Sequence, residues 1–375
     1  MSTTTLPSAP ERVILLNPGP VNTHPDVRAA MSSPDRCHRE PEVAEIMRSV
    51  RAKAAKICGG KDADTSVLLA GSGTAALEAA VASVVPQDGR LLILDNGHYG
   101  ERLFRIASVH RIPLQRLEFG WTQPIDLSEV DRALSEDPGI THVAMIHHET
   151  STGMLNPLRA VGELVASHGR DLIVDAISSL GSEQLDLAAD HITWCVGTAN
   201  KCLEGLPGVS FVAGSHADFR ALSEVPARGF YLDLYGHYHS QEHLNAPMFT
   251  PAVQVMTAFE KALDFALAEG AAARGRRYEA LAQAVRSGFT ARGGSFLLPA
   301  DQRANSVTNI AVPAGLSYEQ LHDALKERGF VVYSTQDKLA GWFRVATMGQ
   351  LNPADIEAFF EAYDEVVAER ADPGL

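Results

Sequence analysis

Seven short apolar runs, separated by helical periodicity or polar turns, constrain what this chain can fold into more than any other feature. They lie at residues 66–70, 90–95, 112–117, 142–147, 171–176, 192–197 and 209–213. Helical patterns fill residues 74–85, 101–110, 127–134 and 157–168 between most of them. A strand that is apolar throughout must be covered on both faces, and helices are the natural cover. The expected fold is therefore α/β, with a large domain built on a mostly parallel seven-stranded sheet.

The pattern changes after Pro251. Two long helical stretches, 251–267 and 271–288, precede a βαβ-like tail. Its strands fall at 306–312, 330–333 and 342–347 and its helices at 317–328 and 353–369. At 375 residues the chain exceeds one typical domain of roughly 100–200 residues. Three parts are expected: an N-terminal arm at 1–23, a large domain at 24–255 and a smaller C-terminal α/β domain at 256–375.

The net charge of −14 repels phosphate backbones, so nucleic acid is not an expected partner. A few local donors could still bind a small anion. No apolar run approaches the length of about 18 residues that a membrane span needs. The first twelve residues are polar, with no apolar signal segment, and a cytoplasmic location is expected. Cys37, Cys58, Cys195 and Cys202 form no C-x-x-C pair, so they read as reduced thiols and no metal site is expected from them.

Two positions carry chemistry at strand ends. The first run leads into Gly71-Ser72-Gly73-Thr74 and an alanine-rich helix. Free N–H groups at a helix start, with small residues allowing close approach, form an anion site. The same turn fits the dinucleotide fingerprint G-x-G-x-x-A, with Asp95 at a later strand end. A nicotinamide-dependent dehydrogenase is thus a rival reading. It leaves the second feature without a role. Asp175 closes one apolar strand, and Lys201 follows the next in the small polar turn Thr198-Ala199-Asn200. A carboxylate beside a pyridine nitrogen keeps that nitrogen protonated, and a desolvated lysine can form an imine with an aldehyde. Singly, each residue has a commoner explanation, a helix cap or a surface charge. In this order the three point to pyridoxal 5'-phosphate.

These residues resemble the class V aminotransferases of fold type I, and within them the 2-aminoethylphosphonate–pyruvate transaminases. The resemblance runs through residues 16–23, 69–78, 95–102, 148–157, 174–179 and 198–201, and continues at 249–251 and 343–344. It implies a site assembled as follows. Ser72, Gly73 and Thr74 hold the cofactor phosphate, and Tyr99 stacks on its ring. Thr152 bonds near the ring oxygen, Asp175 pairs with the ring nitrogen, and Lys201 carries the aldehyde. Ser178 and Asn200 belong to the same cofactor-binding set. Thr250 reaches the phosphate of a neighbouring subunit, since these folds form homodimers with shared sites. Arg344 binds the substrate's anionic group, under an arm that includes Pro20 and Asn22. The implied reaction moves an amino group from 2-aminoethylphosphonate to pyruvate. Alanine–glyoxylate and serine–pyruvate transamination are the alternatives within the family.

Some positions depart from the family pattern. His98 stands where a small residue is usual, His148 replaces a serine or asparagine, and Ser151 replaces a threonine. His239 and His243 have the i, i+4 spacing of a helical metal pair, but no glutamate of an H-E-x-x-H motif lies between them. The segment 231–243 is expected to be an aromatic-rich loop near the site entrance, without a metal.

Overall fold

The computed structural model describes residues 12–371; residues 1–11 of the expected arm, with the polar start, lie outside them. All seven apolar runs are strands of one sheet. They are β1 (Asp64–Ala70), β2 (Arg90–Asp95), β3 (Leu114–Glu118), β4 (Ile140–Ile146), β5 (Asp171–Asp175), β6 (Trp194–Thr198) and β7 (Val209–Ser215). Their spatial order is β1-β7-β6-β5-β4-β2-β3. Every pairing is parallel except those of β7, which runs antiparallel to both neighbours. Two antiparallel steps restore direction, so β1 points the same way as β2, β5 and β6. Their C-terminal ends share one edge, where ligands bind in open α/β sheets.

Helices cover both faces. One apolar layer joins β-strand residues such as Leu92, Val143 and Leu172 to α1 (Pro41–Ile57) through Val43, Met47 and Val50. The other joins Ile93, Ala144 and Ile173 to α2 (Gly73–Val84) and α3 (His98–Val109) through Leu77, Val81 and Leu103. Alternate residues of each strand thus feed opposite layers, as a pleat requires. The expected helices at 127–134 and 157–168 form as α4 (Leu127–Glu136) and α5 (Leu158–Ser167).

The segment around the histidines differs from the expected loop. It is α6 (Leu234–His243), and the buried Gln241 explains it. Its side-chain amide pairs with both backbone groups of Leu68 on β1, at 3.0 and 2.7 Å. The edge strand of the sheet is thereby capped by a helix. Next come α7 (Val253–Glu269) and α8 (Ala271–Ala291). Residues Met256, Phe259 and Leu263 of α7 pack into the large-sheet layer. Leu281, Val285 and Phe289 of α8 pack into a separate C-terminal core. A division at residue 255 therefore falls at the start of a helix that packs with the large sheet.

The C-terminal core contains β8 (Val307–Ala311), α9 (Tyr318–Glu327), β9 (Tyr333–Ser334), β10 (Trp342–Ala346) and α10 (Pro353–Ala371). Its sheet has the order β8-β10-β9 and is antiparallel, so the tail does not close a parallel βαβ unit on itself. Phe330–Val331 instead pairs in parallel with Ile14–Leu15 of the arm. Leu16 O accepts a bond from Ala346 N, and Ile14 and Leu16 are buried in the same core. The arm is thus packed into the C-terminal core, through a two-stranded sheet of its own, before it reaches Lys201.

Candidate active site

The loops at the shared edge converge on one cavity of about 170 Å³. Ser72, Gly73, Thr74, Tyr99, Asp175, Asn200 and Lys201 all line it. β1 stops at Ala70, Gly71 N is bonded to Gly208 O, and α2 begins at Gly73. Ser72 makes no side-chain cap there. The free donors of the first turn therefore remain available. A Cβ on Gly73 would lie 2.6 Å from Ile177 Cδ1, so glycine lets this turn sit against the segment after Asp175 without displacing that side chain.

Asp175 is 4% exposed at the end of β5, and its Oδ1 accepts a bond from Ile177 N at 2.9 Å. Burial pushes its pKa up to about 6, against the pull of that N–H and of Arg102 and Lys201. It is an acid in want of a close cation. Lys201 follows β6. Its Nζ donates to Pro18 O of the arm. The side chain of Asn200 accepts a bond from Thr198 Oγ1 at 2.9 Å, which fixes the turn.

Three residues not singled out from the sequence matter here: Arg102 in the cavity wall, and Glu149 and Thr150 on the loop after β4. Arg102, one helical turn after Tyr99, lines the cavity and donates to Thr74 Oγ1 at 3.0 Å. Its spacing from Tyr99 was a usable signal. Glu149 is fully buried and accepts bonds from the N–H groups of Tyr99, Gly100 and Ser151. It pins the start of α3 to the loop after β4. Burial pushes its pKa up to about 7, although all those donors pull it down. Thr150 is fully buried, and its hydroxyl has no partner.

That orphan bears on Thr152. The Thr152 hydroxyl already donates to Glu149 O at 3.2 Å and accepts from Met154 N at 3.4 Å. The free hydroxyl on this loop is two residues earlier. Ser178 is buried beside the site but does not line the cavity; its carbonyl faces His148 Nδ1 at 3.2 Å. His148 is itself buried, its Nε2 has no partner, and burial depresses its pKa to about 3.

Arg344 on β10 is 6% exposed. It donates to Ser334 O at 3.0 and 2.7 Å and to Thr150 O at 3.3 Å. All three acceptors are carbonyl oxygens. Among the described residues no carboxylate is in ion-pair contact with it, so an anion from outside is its natural counter-charge. Pro20 is exposed on the arm. Asn22 lies elsewhere: its amide accepts from Leu15 N and donates to Val13 O, both at 2.8 Å, and it lines a different groove. The side chain holds the arm's fold and does not face the cavity. Thr250 is exposed and also lies outside the cavity of its own chain.

Asp95, the ribose acid that a dinucleotide reading needs, is buried and bonded to Arg116 at 2.8 and 2.5 Å. It has no free oxygen to offer a sugar in the manner of that motif. In α6, His237 is tied to Tyr231 O at 2.8 Å. Among the described residues, no group of three or more His, Cys, Asp or Glu is placed to hold a metal ion. Among the described residues, no helix is long and apolar enough to cross a membrane.

Comparison with known proteins gives a consistent picture. Residues 24–337 match the family described as Aminotransferase class-V. The 2-aminoethylphosphonate–pyruvate transaminase of Vibrio vulnificus is 36% identical over 359 residues, covering 94% of this chain and 97% of that one. The structure of pyridoxamine–pyruvate aminotransferase from Mesorhizobium loti superposes with a TM-score of 0.89 at 29% identity, covering 98% of this chain and 94% of that one. Alanine–glyoxylate aminotransferase from Nostoc sp. gives a TM-score of 0.90 at 26% identity, with 97% of each chain covered.

Proposed function

Because the chain belongs to the class-V aminotransferases, enzymes of fold type I that depend on pyridoxal phosphate, we propose that it moves the amino group of 2-aminoethylphosphonate to pyruvate, giving phosphonoacetaldehyde and L-alanine. The observation that carries the anionic amine is Arg344, a buried guanidinium whose contacts are all carbonyl oxygens. The phosphonate in particular is supported by what the relatives of similar length are named for.

The residues present fit the cofactor. Asp175, a buried acid whose pKa burial raises to about 6, lines the cavity beside Lys201 and the uncapped start of α2, and the buried hydroxyl of Thr150 on the loop after β4 has no partner. Pyridoxal phosphate, when bound, supplies an aldehyde for the amine and a protonated ring that draws electrons from the carbon bearing it. Ser72, Gly73 and Thr74 would hold its phosphate at the start of α2. Tyr99 would cover one ring face, Thr150 would donate to the ring oxygen, and Asn200 would fix the turn that aims the lysine. Asp175 stays ionised once a protonated ring nitrogen lies beside it, because an adjacent opposite charge offsets its burial.

Lys201 Nζ is the group that would hold the cofactor's aldehyde. As a free amine it would be the base that takes a proton from the carbon bearing the substrate's amino group. In the second half-reaction it returns a proton to the corresponding carbon of the 2-oxo acid. Arg344 fixes the anionic end of either substrate, which sets that carbon within reach of Nζ. The arm around Pro18 and Pro20 covers the lysine and excludes water. The molecule works as a homodimer in which Thr250 approaches the partner's phosphate site. An exposed aromatic next to Thr250 supports this: Phe230, whose ring lies 5.5 Å from that of Phe249, is 79% exposed.

An amine panel tests the proposal. Alanine formation from pyruvate is followed with 2-aminoethylphosphonate, serine and other amines as donors. Turnover with the phosphonate is the expected result. Turnover with serine and none with the phosphonate would replace this reading by the serine–pyruvate type.

A further inference from the structure

Arg102 lines the same cavity as Lys201 and Asp175 but has no part in the chemistry above. It sits half-buried on α3. Its guanidinium donates to Thr74 Oγ1 at 3.0 Å and meets His98 Nε2 at 3.3 Å. Its Cζ lies over the Tyr99 ring, 4.6 Å from the centroid. Both polar partners are neutral at pH 7, because burial and the neighbouring arginines depress the His98 pKa. Among the described residues no carboxylate is in ion-pair contact with Arg102. Asp175 lines the same cavity and feels the charge of the guanidinium, but it makes no ion pair with it, so a permanent cation against the cavity is left free to pair with a bound anion.

Two features say which anion. Thr74 belongs to the first turn of α2, whose free N–H groups carry the positive end of the helix. The guanidinium is tied to that threonine, so both positive features address one point of the cavity. Stacking on Tyr99 alone would not explain it.

We propose that Arg102 is the cationic arm of the phosphate cradle. It holds the cofactor's phosphate together with the N–H groups of Gly73 and Thr74, and leaves the substrate's anion to Arg344. The proposal rests on the reading of this cavity as a pyridoxal-phosphate site.

The test compares two ligands that differ only in the phosphate. Full-length protein stripped of cofactor is titrated with pyridoxal phosphate and with pyridoxal, and bound ligand is measured by equilibrium dialysis. Arg102→Met should weaken pyridoxal phosphate by roughly tenfold to a hundredfold, the effect of a lost charge-assisted bond, and leave pyridoxal unchanged. Arg102→Lys should fall between them, since an ammonium keeps the charge and loses the fork. If Arg102→Met does not fold, the ratio of the two affinities in Arg102→Lys decides. An unchanged ratio in the variants, whether both ligands bind as in the parent or both weaken together, overturns the assignment. Failure of the parent to bind pyridoxal phosphate saturably would overturn the cofactor reading itself, which is a distinguishable outcome.

Discussion

The Nζ of Lys201 donates a hydrogen bond to the backbone carbonyl of Pro18, 183 residues earlier in the chain. That carbonyl belongs to an arm whose Ile14 and Leu16 are packed in the C-terminal core. The lysine at the edge of the large sheet is therefore in contact with a segment held by the small one. Any shift of the small core relative to the large moves the cover of the site.

Gly19 is where this arrangement is most sensitive. Its φ is +94°, and an added Cβ would lie 2.8 Å from Lys201 Cδ and 3.2 Å from Asn200 O. A side chain there meets both backbone strain and the lysine stem. Gly19→Ala should lower kcat/KM by about tenfold or more, given the roughly 1–2 kcal/mol that a left-handed backbone costs a non-glycine residue. The thermal midpoint should move little, because the strain can be relieved by displacing the arm. Steady-state kinetics beside a melting curve checks both halves.

Thr150 and Thr152 should separate cleanly. Thr150→Val removes a hydroxyl with no protein partner, so cofactor-free protein should be as stable as the parent or slightly more so. Its cofactor affinity should fall by roughly 3- to 10-fold, the worth of one neutral hydrogen bond. Thr152→Val removes two backbone contacts and should lose about 1 kcal/mol of stability with little change in affinity. The opposite assignment of effects would restore Thr152 as the ring-oxygen donor.

Arg344→Gln should reduce kcat/KM for an anionic amine by about a hundredfold, as expected when a buried charge partner is removed. An amine without an anionic group should react nearly as before. Equal losses for both amines would make Arg344 a structural residue only.

Glu149 gives a pH signature. Burial, chiefly, pushes its pKa up from the ordinary 4.5 to about 7. A raised carboxylate binds protons more tightly when folded, so its contribution is most favourable below pH 4.5 and is lost as pH rises toward 7. Glu149→Gln cannot ionise. In cofactor-free protein, urea unfolding should show the variant gaining on the parent between pH 4.5 and 7, by a few kcal/mol at most, with no further change above. A constant difference across that range would mean that Glu149 ionises normally.

The sheet was legible because burial on both faces leaves a strand no polar positions to confuse its pattern. Asp175 and Lys201 could be found because each follows such a strand at once. Residues whose role depends on a distant contact left no local trace. Thr150 and Thr152 look alike in sequence, and only the bonds to Glu149 O and Met154 N distinguish them. α6 was hidden because its polar, aromatic residues carry little periodicity, and its buried Gln241 is stabilised by Leu68 of β1. α1 was not marked from the sequence at all. Val43, Met47, Val50 and Ala54 do recur there at helical spacing, but the buried face also contains Arg51, whose side chain bonds Ser66 O and Thr65 Oγ1 on β1, a contact with no local trace. The parallel pairing of the arm with Phe330–Val331 likewise joins distant segments and left no local trace.

Borohydride reduction followed by peptide mapping tests the central claim most directly. Protein loaded with pyridoxal phosphate is reduced, digested and analysed by mass spectrometry. The account predicts a single stable adduct on the peptide containing Lys201, absent from Lys201→Ala. An adduct on another lysine, or none at all, would contradict it.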